Sequence, residues 1–322
     1  MDSEEIRRLS DSVKENISKV IVGKDNLLDL LLTALISKGH VLLEDVPGTG
    51  KTLLAKSLAR SLGCSFKRVQ FTPDLLPSDI TGIHYYNQKE GVFTFRPGPV
   101  FTNILLADEI NRATPRTQSA LLECMEEGQV TIDGETKKLS IPFLVIATQN
   151  PVEIQGTFPL PEAQLDRFMM RLKPGYPTLK EGIDILKRFR DDNPLETLSP
   201  VCSGEDILAA QKSYTSVYVH EDLMLYILQI AEATRNHPDV TLGISPRGAQ
   251  ALFRGAQAYA VLKGRSHVVP DDIKSLAIPV FAHRIILKGS VRLKSGASDV
   301  LLQDILAKLP VPAENPGIYG QA

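Results

Sequence analysis

Gly48-Thr49-Gly50-Lys51-Thr52 constrains this chain more than any other stretch. A short apolar run, His40-Val41-Leu42-Leu43-Glu44, precedes it, and Leu53, Leu54, Leu58 and Leu62 follow at helical spacing. The pattern is strand, glycine-rich loop, helix. Consecutive backbone N–H groups around small glycines wrap the β- and γ-phosphates of a nucleotide, and the next helix presents its positive end. In that geometry Lys51 reaches the phosphates and the Thr52 hydroxyl is a ligand for magnesium. The strict GxxxxGK[ST] loop has glycine where this chain has Asp45. That departure fits if Asp45 is the residue leaving the strand and points away from the cradle. The plain alternative is a glycine-rich turn that merely ends a strand.

A second element points the same way. Ile104-Leu105-Leu106-Ala107 is a buried-strand pattern ending in two carboxylates, Asp108 and Glu109. A carboxylate at such a strand tip holds the magnesium shell beside Thr52, and the next one polarises a water for in-line attack on the γ-phosphorus. Three more polar residues are candidates. Asn150 follows the apolar run Phe143–Thr148, where an amide orients the water or senses the γ-phosphate; otherwise it is a turn residue before Pro151. Arg167 precedes the strand pattern Phe168–Leu172, as a surface ion-pair partner or as a finger reaching a neighbour's phosphate. Arg247 sits in the first turn after Ser245-Pro246, where a cation is unfavourable unless an anion faces it.

The rest of the chain supplies a scaffold. Ile6, Leu9, Val13, Ile17 and Val20 predict one helix, and Lys24–Ser37 a second. Strand patterns at Phe66–Phe71, Ile104–Ala107, Phe143–Thr148 and Phe168–Leu172 alternate with helical ones, the signature of an open parallel α/β sheet. Two hairpins interrupt the rhythm: Ile83–Tyr86 with Val92–Phe95, and Gln129–Ile132 with Thr136–Leu139 around Asp133-Gly134. Tyr85, Tyr86, Phe93 and Phe95 are expected to pair across the first of them. Beyond Pro174-Gly175-Tyr176-Pro177 only helical windows remain, started by Ser203 with Asp206, by Ser245-Pro246 and by Pro270-Asp271-Asp272. The expected division is a sheet domain over 1–176 and an all-helical domain over 177–322, with a loose tail in the last dozen residues.

Composition narrows the function. Lys plus Arg is 36 and Asp plus Glu is 38, a net charge of -2, which gives no electrostatic reason to expect nucleic acid or an anionic membrane. The apolar run Leu27–Ile36, broken by Asp29 and Thr33, is too short to span a bilayer. The acidic start lacks the order of a signal peptide, and Cys64, Cys124 and Cys202 are isolated thiols suited to a reducing compartment; a cytoplasmic protein is expected. The six histidines are scattered, and His283-Arg284 is expected to serve packing and surface charge.

Four blocks carry a resemblance: Glu44–Thr52, Leu106–Arg112, Ala147–Pro151 and Phe158-Pro159-Leu160-Pro161-Glu162-Ala163-Gln164-Leu165-Asp166-Arg167-Phe168. Together they resemble the MoxR family of AAA+ ATPases, over about Val20 to Arg284. The resemblance implies a P-loop AAA+ core of parallel α/β class with two hairpin insertions, followed by a smaller helical lid. It implies ATP and Mg2+ as ligands. Val46, Pro47, Gly48, Thr49, Gly50, Lys51 and Thr52 would form the Walker A loop, and Asp108 and Glu109 would end Walker B. Asn150 would be sensor 1, and Arg247 a sensor 2 available within the same chain. Arg167 would be a finger acting on the next subunit, with Arg112, Arg116 and Arg171 as nearby alternatives. Val22-Gly23 would line the adenine. Such proteins form rings, often hexamers, with the hairpins facing the pore, and act on protein partners, frequently ones with a von Willebrand factor A domain. The expected function is ATP hydrolysis driving chaperone-like remodelling. The alternatives are a nucleotide-gated scaffold with little turnover, a nucleic-acid motor and a magnesium-chelatase-like motor subunit.

Overall fold

The computed structural model describes residues 1–44, 46, 48–150, 156–190, 194–289 and 296–312. Asp45, Pro47 and Pro151 lie outside the described residues, as does all of the expected tail except Val311 and Pro312. Two helices, α1 (Ser3–Ser18) and α2 (Asp25–Ile36), lead into β1 (Val41–Glu44), α3 (Lys51–Ser61) and β2 (Phe66–Gln70). A short helix α4 (Pro77–Thr81) opens the hairpin β3 (Gly82–Asn87)–β4 (Val92–Pro97). Next come β5 (Ile104–Asp108), a helical turn at Ile110–Arg112 and α5 (Pro115–Glu127). The hairpin β6 (Gln129–Ile132)–β7 (Glu135–Lys138) precedes β8 (Leu144–Gln149), α6 (Glu162–Leu165) and β9 (Met170–Leu172). The remainder is α7 (Leu179–Arg188), α8 (Gly204–Ser213), α9 (Glu221–Arg235), β10 (Val240–Leu242), α10 (Pro246–Leu262), α11 (Pro270–Phe281), β11 (Ile286–Leu287) and α12 (Ala297–Lys308).

Five strands form one parallel sheet in the order β2-β5-β8-β1-β9. Period-two alternation sends Val41, Leu43, Ile104, Leu106, Leu144 and Ile146 to one face, where α1, α2 and α3 and the helices after residue 200 cover them. Leu42, Leu105, Ala107, Val145 and Ala147 face the other side, against Leu121, Leu122 and Met125 of α5. The first apolar cluster is continuous from Ile6 and Leu31 through the sheet to Ala256, Leu276 and Leu302. Asp29, the charge that broke the apolar run of α2, is held by Lys14 of α1 at 3.0 Å and by Lys263 at the end of α10. It is a buried tie between three helices.

Three expectations change. Phe66–Phe71 is not a buried strand: β2 is a sheet edge, and Lys67, Arg68 and Gln70 are exposed. The second half is helical but carries one small antiparallel pair, β10 with β11. Arg284 is no surface charge. It is buried, bonded to the Asp166 carboxylate at 2.6 Å and to the carbonyls of Asp166, Phe168 and Met169. It therefore fixes the turn that carries Arg167. Both hairpins form as expected, with Asp133 and Gly134 at positive φ and Tyr86 paired across to Phe93. No helix among the described residues is long and apolar enough to cross a membrane.

His40 is buried at the entry to β1, with Nε2 against the Met125 carbonyl and Nδ1 accepting the Val145 N–H. Burial pushes its pKa down to about 4, so the imidazole is neutral in the folded protein. An unfolded chain takes up that proton near the ordinary value, so this contribution is complete above pH 6.5 and is lost as pH falls toward 4. Over that window it removes about 3 kcal/mol of stability. Denaturant titrations at pH 7, 5.5 and 4.5 should show the decline, and His40→Gln should flatten part of it. An unchanged slope in His40→Gln would contradict the assignment. Buried His283, also pushed well below its usual value by desolvation, supplies a further part with the same sign.

Candidate active site

The carboxyl ends of β1, β8 and β5 lie side by side, about 5 Å apart, and the loop between β1 and α3 opens there. Gly48 and Gly50 have φ of +86° and +84°, which side chains other than glycine adopt at a cost. Open space surrounds the point where a Cβ would stand on either residue. The result is a bare backbone cradle at the start of α3. The Lys51 ammonium donates to the Val46 carbonyl at 2.8 Å across the loop, and Thr52 stands in the first turn of α3.

Asp108 ends β5, and Glu109 follows with φ +56° and ψ +50°, a left-handed backbone that costs a residue with a side chain about 1–3 kcal/mol. One buried hydroxyl holds both. Thr148 Oγ1 of β8 accepts the Glu109 N–H at 2.8 Å and donates to Asp108 Oδ1 at 2.6 Å. The exposed edge strand β2 adds the rest: Arg68 binds Asp108 Oδ2 at 2.6 Å, and Gln70 donates to Glu109 Oε2 at 2.8 Å. Arg112 pairs with the same Glu109 oxygen at 3.2 Å. Asn150 is buried just past β8, next to the strand that feeds the loop.

Thr52 and Asp108 carry a hydroxyl and a carboxylate, oxygen donors of the kind magnesium takes. Among the described residues no group of three His, Cys, Asp or Glu side chains forms a protein-only metal cage. Two protein oxygens are what an ion completed by phosphates and water requires. Gly23 has φ +69°, which favours glycine, and a Cβ there would displace the Glu181 carboxylate of α7. Lys24 caps the Pro174 and Gly175 carbonyls beside it. A cavity of about 310 Å³ is lined by Gly23, Lys24, Leu27 and Pro174, and one of about 550 Å³ by Glu44, Val46, Leu160 and Arg171. Val22 adjoins Gly23 and is half-buried.

The two remaining candidates stand elsewhere. Met169 donates to the His40 carbonyl and β9 runs parallel to β1, so Arg167 lies at the amino ends of the strands. Arg247 is beside it, at the opposite end of β1 from Lys51. The two share one carboxylate: Arg167 Nη1 lies 3.0 Å from Glu126 Oε2, and Arg247 Nη1 lies 3.2 Å from Glu126 Oε1. Ser37, Lys38 and Gly39, which lead into β1, line the same pocket as both arginines. The length of β1 separates this cluster from the cradle, about 13 Å of strand. The alternatives for Arg167 are placed differently. Arg171 pairs with Glu44 and Asp299, Arg112 with Glu109, and Arg116 is exposed in the first turn of α5.

The family model for ATPases associated with various cellular activities matches residues 40–170, and an AAA lid-domain model matches residues 232–305. The chain is 49% identical to the uncharacterised protein YeaC of Bacillus subtilis, over 98% of each. It is 39% identical to a Mycobacterium tuberculosis protein called Chaperone MoxR1, over 97% of this chain and 84% of the relative. A solved structure of a candidate ATPase from Cytophaga hutchinsonii superposes with a TM-score of 0.90 at 40% identity, covering 97% of both chains. Sequence, sheet order and helical lid agree, and the chain belongs to the MoxR family of AAA+ ATPases.

Proposed function

We propose that this protein is a magnesium-dependent ATP hydrolase whose site is completed by the next copy in a ring. One observation carries it: the cradle, Asp108, Glu109 and Asn150 gather at the carboxyl ends of the sheet, while Arg167 and Arg247 stand together at the amino ends. A chain with its phosphate cradle at one end and its arginines at the other completes a site only by head-to-tail contact, and a closed ring satisfies every copy. Lys51 would leave the Val46 carbonyl for the β- and γ-phosphates. Thr52 and Asp108 would hold magnesium, which when bound neutralises phosphate charge. Glu109 would orient and polarise the attacking water, with Asn150 beside the γ-phosphate. We place the boundary between core and lid at about residue 176, after β9 and before α7.

Thr148 gives this proposal an early test. Thr148→Val keeps the shape and removes both hydrogen bonds, the one to the Asp108 carboxylate worth about 1.5–3 kcal/mol and the one from the Glu109 amide about 0.5–1.5 kcal/mol. Turnover should drop by about tenfold or more with nucleotide affinity little changed, and Thr148→Ser should restore most of it. Equal activity in the valine variant would remove Thr148 from the site.

The work performed is proposed to act on protein partners. The relative's chaperone name supports this, as does the exposed apolar surface of β3–β4, where Phe93 is 73% and Tyr86 54% exposed. That hairpin is tied to β6–β7 by His84 with Asp133 at 2.8 Å and by Lys137 over the Phe95 ring. Phosphate release measured against protein concentration tests ring completion: turnover per subunit should rise and then level off. A flat, high rate at the lowest concentrations would show a self-sufficient site.

A further inference from the structure

We propose that Glu126 is the resident counter-ion of the Arg167–Arg247 pair and sets how strongly ATP draws subunits together. This rests on the trans arrangement proposed above. Glu126 lies in the last turn of α5, where the unpaired carbonyls of a helix end disfavour a carboxylate. Its two oxygens are divided between the arginines, one to each, at 3.0 and 3.2 Å. Arg284, also in this pocket, is already committed to Asp166 and the carbonyls of Phe168 and Met169 and makes no ion pair with Glu126 among the described contacts. Lys38, Arg254 and Asp166 line a cavity of about 210 Å³ with both arginines, and Glu126 lines an adjoining one of about 200 Å³ with Glu123, Glu127 and Arg167.

The division of one anion between two guanidiniums is what a γ-phosphate would also require of them. In the separate subunit Glu126 bridges the pair against their mutual repulsion, while Asp166 stands 3.8 Å from Arg247 Nε and the Leu122 carbonyl accepts from Arg167 at 2.9 Å. When a neighbour brings a triphosphate, the arginines exchange the carboxylate for the phosphate, and Glu126 is left facing an anion. The bonds to Glu126 therefore oppose assembly on ATP. Both arginines and Glu126 are partly exposed, so each pair is weak, and together they amount to about a tenfold change in an equilibrium constant. A diphosphate has no group to offer in exchange, so Glu126 helps reserve the seat for ATP.

The test uses the full chain with Glu109→Gln throughout, so that nucleotide is not consumed, and sedimentation velocity in magnesium with ATP or ADP. Glu126→Gln should lower the protein concentration for half-assembly in ATP by about tenfold. Glu126→Ala should move it the same way, and Glu126→Asp should stay near the parent. Arg167→Ala should raise that concentration and cancel the gain from Glu126→Gln. A merely structural Glu126 would weaken assembly when removed, the opposite sign. If Arg167→Ala weakens assembly while both neutral Glu126 variants leave it unchanged or weaker, the proposal falls and the trans arrangement stands. If Arg167→Ala has no effect on assembly, the trans arrangement fails and the proposal with it.

Discussion

Two inactive proteins, Arg167→Ala and Glu109→Gln, recover ATP turnover when mixed under conditions of subunit exchange. Each fails alone, because an arginine that meets charge developing in the transition state is worth about 10³ to 10⁵ in turnover. In mixed rings some interfaces pair an intact Glu109 with a neighbour's intact Arg167. For random one-to-one mixing that is roughly a quarter of interfaces, and activity returns in that proportion. The position of Arg247 adds a second mixture. Arg247 shares Glu126 with Arg167, so both should reach the same neighbouring phosphate. Arg247→Ala then complements Glu109→Gln as Arg167→Ala does, but Arg167→Ala mixed with Arg247→Ala stays inactive, since no neighbour carries both arginines. Were Arg247 to serve its own chain, that last mixture would regain about a quarter of its sites. Recovery there, or no recovery in the first mixture despite proven exchange, would contradict the arrangement.

Glu109→Gln binds ATP and nearly stops hydrolysing it, whereas Lys51→Ala no longer binds. Lys51 stands in the loop where it meets ground-state phosphates, and Glu109 acts only when water attacks, so the two losses fall on different steps. Glutamine can keep bonds to Gln70 and Arg112 through its amide but cannot take a proton. ATP at 100 times its dissociation constant adds about 2.7 kcal/mol of stability, read as a raised melting temperature. That shift should persist in Glu109→Gln and vanish in Lys51→Ala. Its absence in Glu109→Gln would place Glu109 in binding rather than in chemistry.

Local pattern carried the nucleotide end of the molecule into view. The strand–glycine–helix junction, the β5 tip and the Asp133-Gly134 turn each depend on neighbours in sequence, and all three formed as the residues predict. Arg68 and Gln70 were missed because Phe66–Phe71 reads as a buried strand; their i, i+2 spacing was the available signal for one shared polar face. Thr148 looked like the end of an apolar run, and its two bonds depend on the register of β8 against β5. Glu126 is an ordinary acid on a helix, with meaning only from arginines about 40 and 120 residues later in the chain. For Arg247 the helix start is legible locally but the seat of that helix is not. Packing against α1 and α2 decides that, and side-chain periodicity alone does not tell which face of the sheet a later helix will cover.

That same packing bears on where movement can occur. Prising α10 from α2 would wet Leu31, Ala256 and Leu276 together and part Asp29 from Lys263. Such exposure costs on the order of 25 cal/mol for every Å² of apolar area. On the division proposed above, core and lid would then move as one stiff lever instead of a jaw on a hinge. In the proposed ring, a nucleotide-dependent stroke would be expressed as rotation between copies, at the seams where one copy's arginines would meet the next copy's cradle. The hairpins would ride on that lever as its working end.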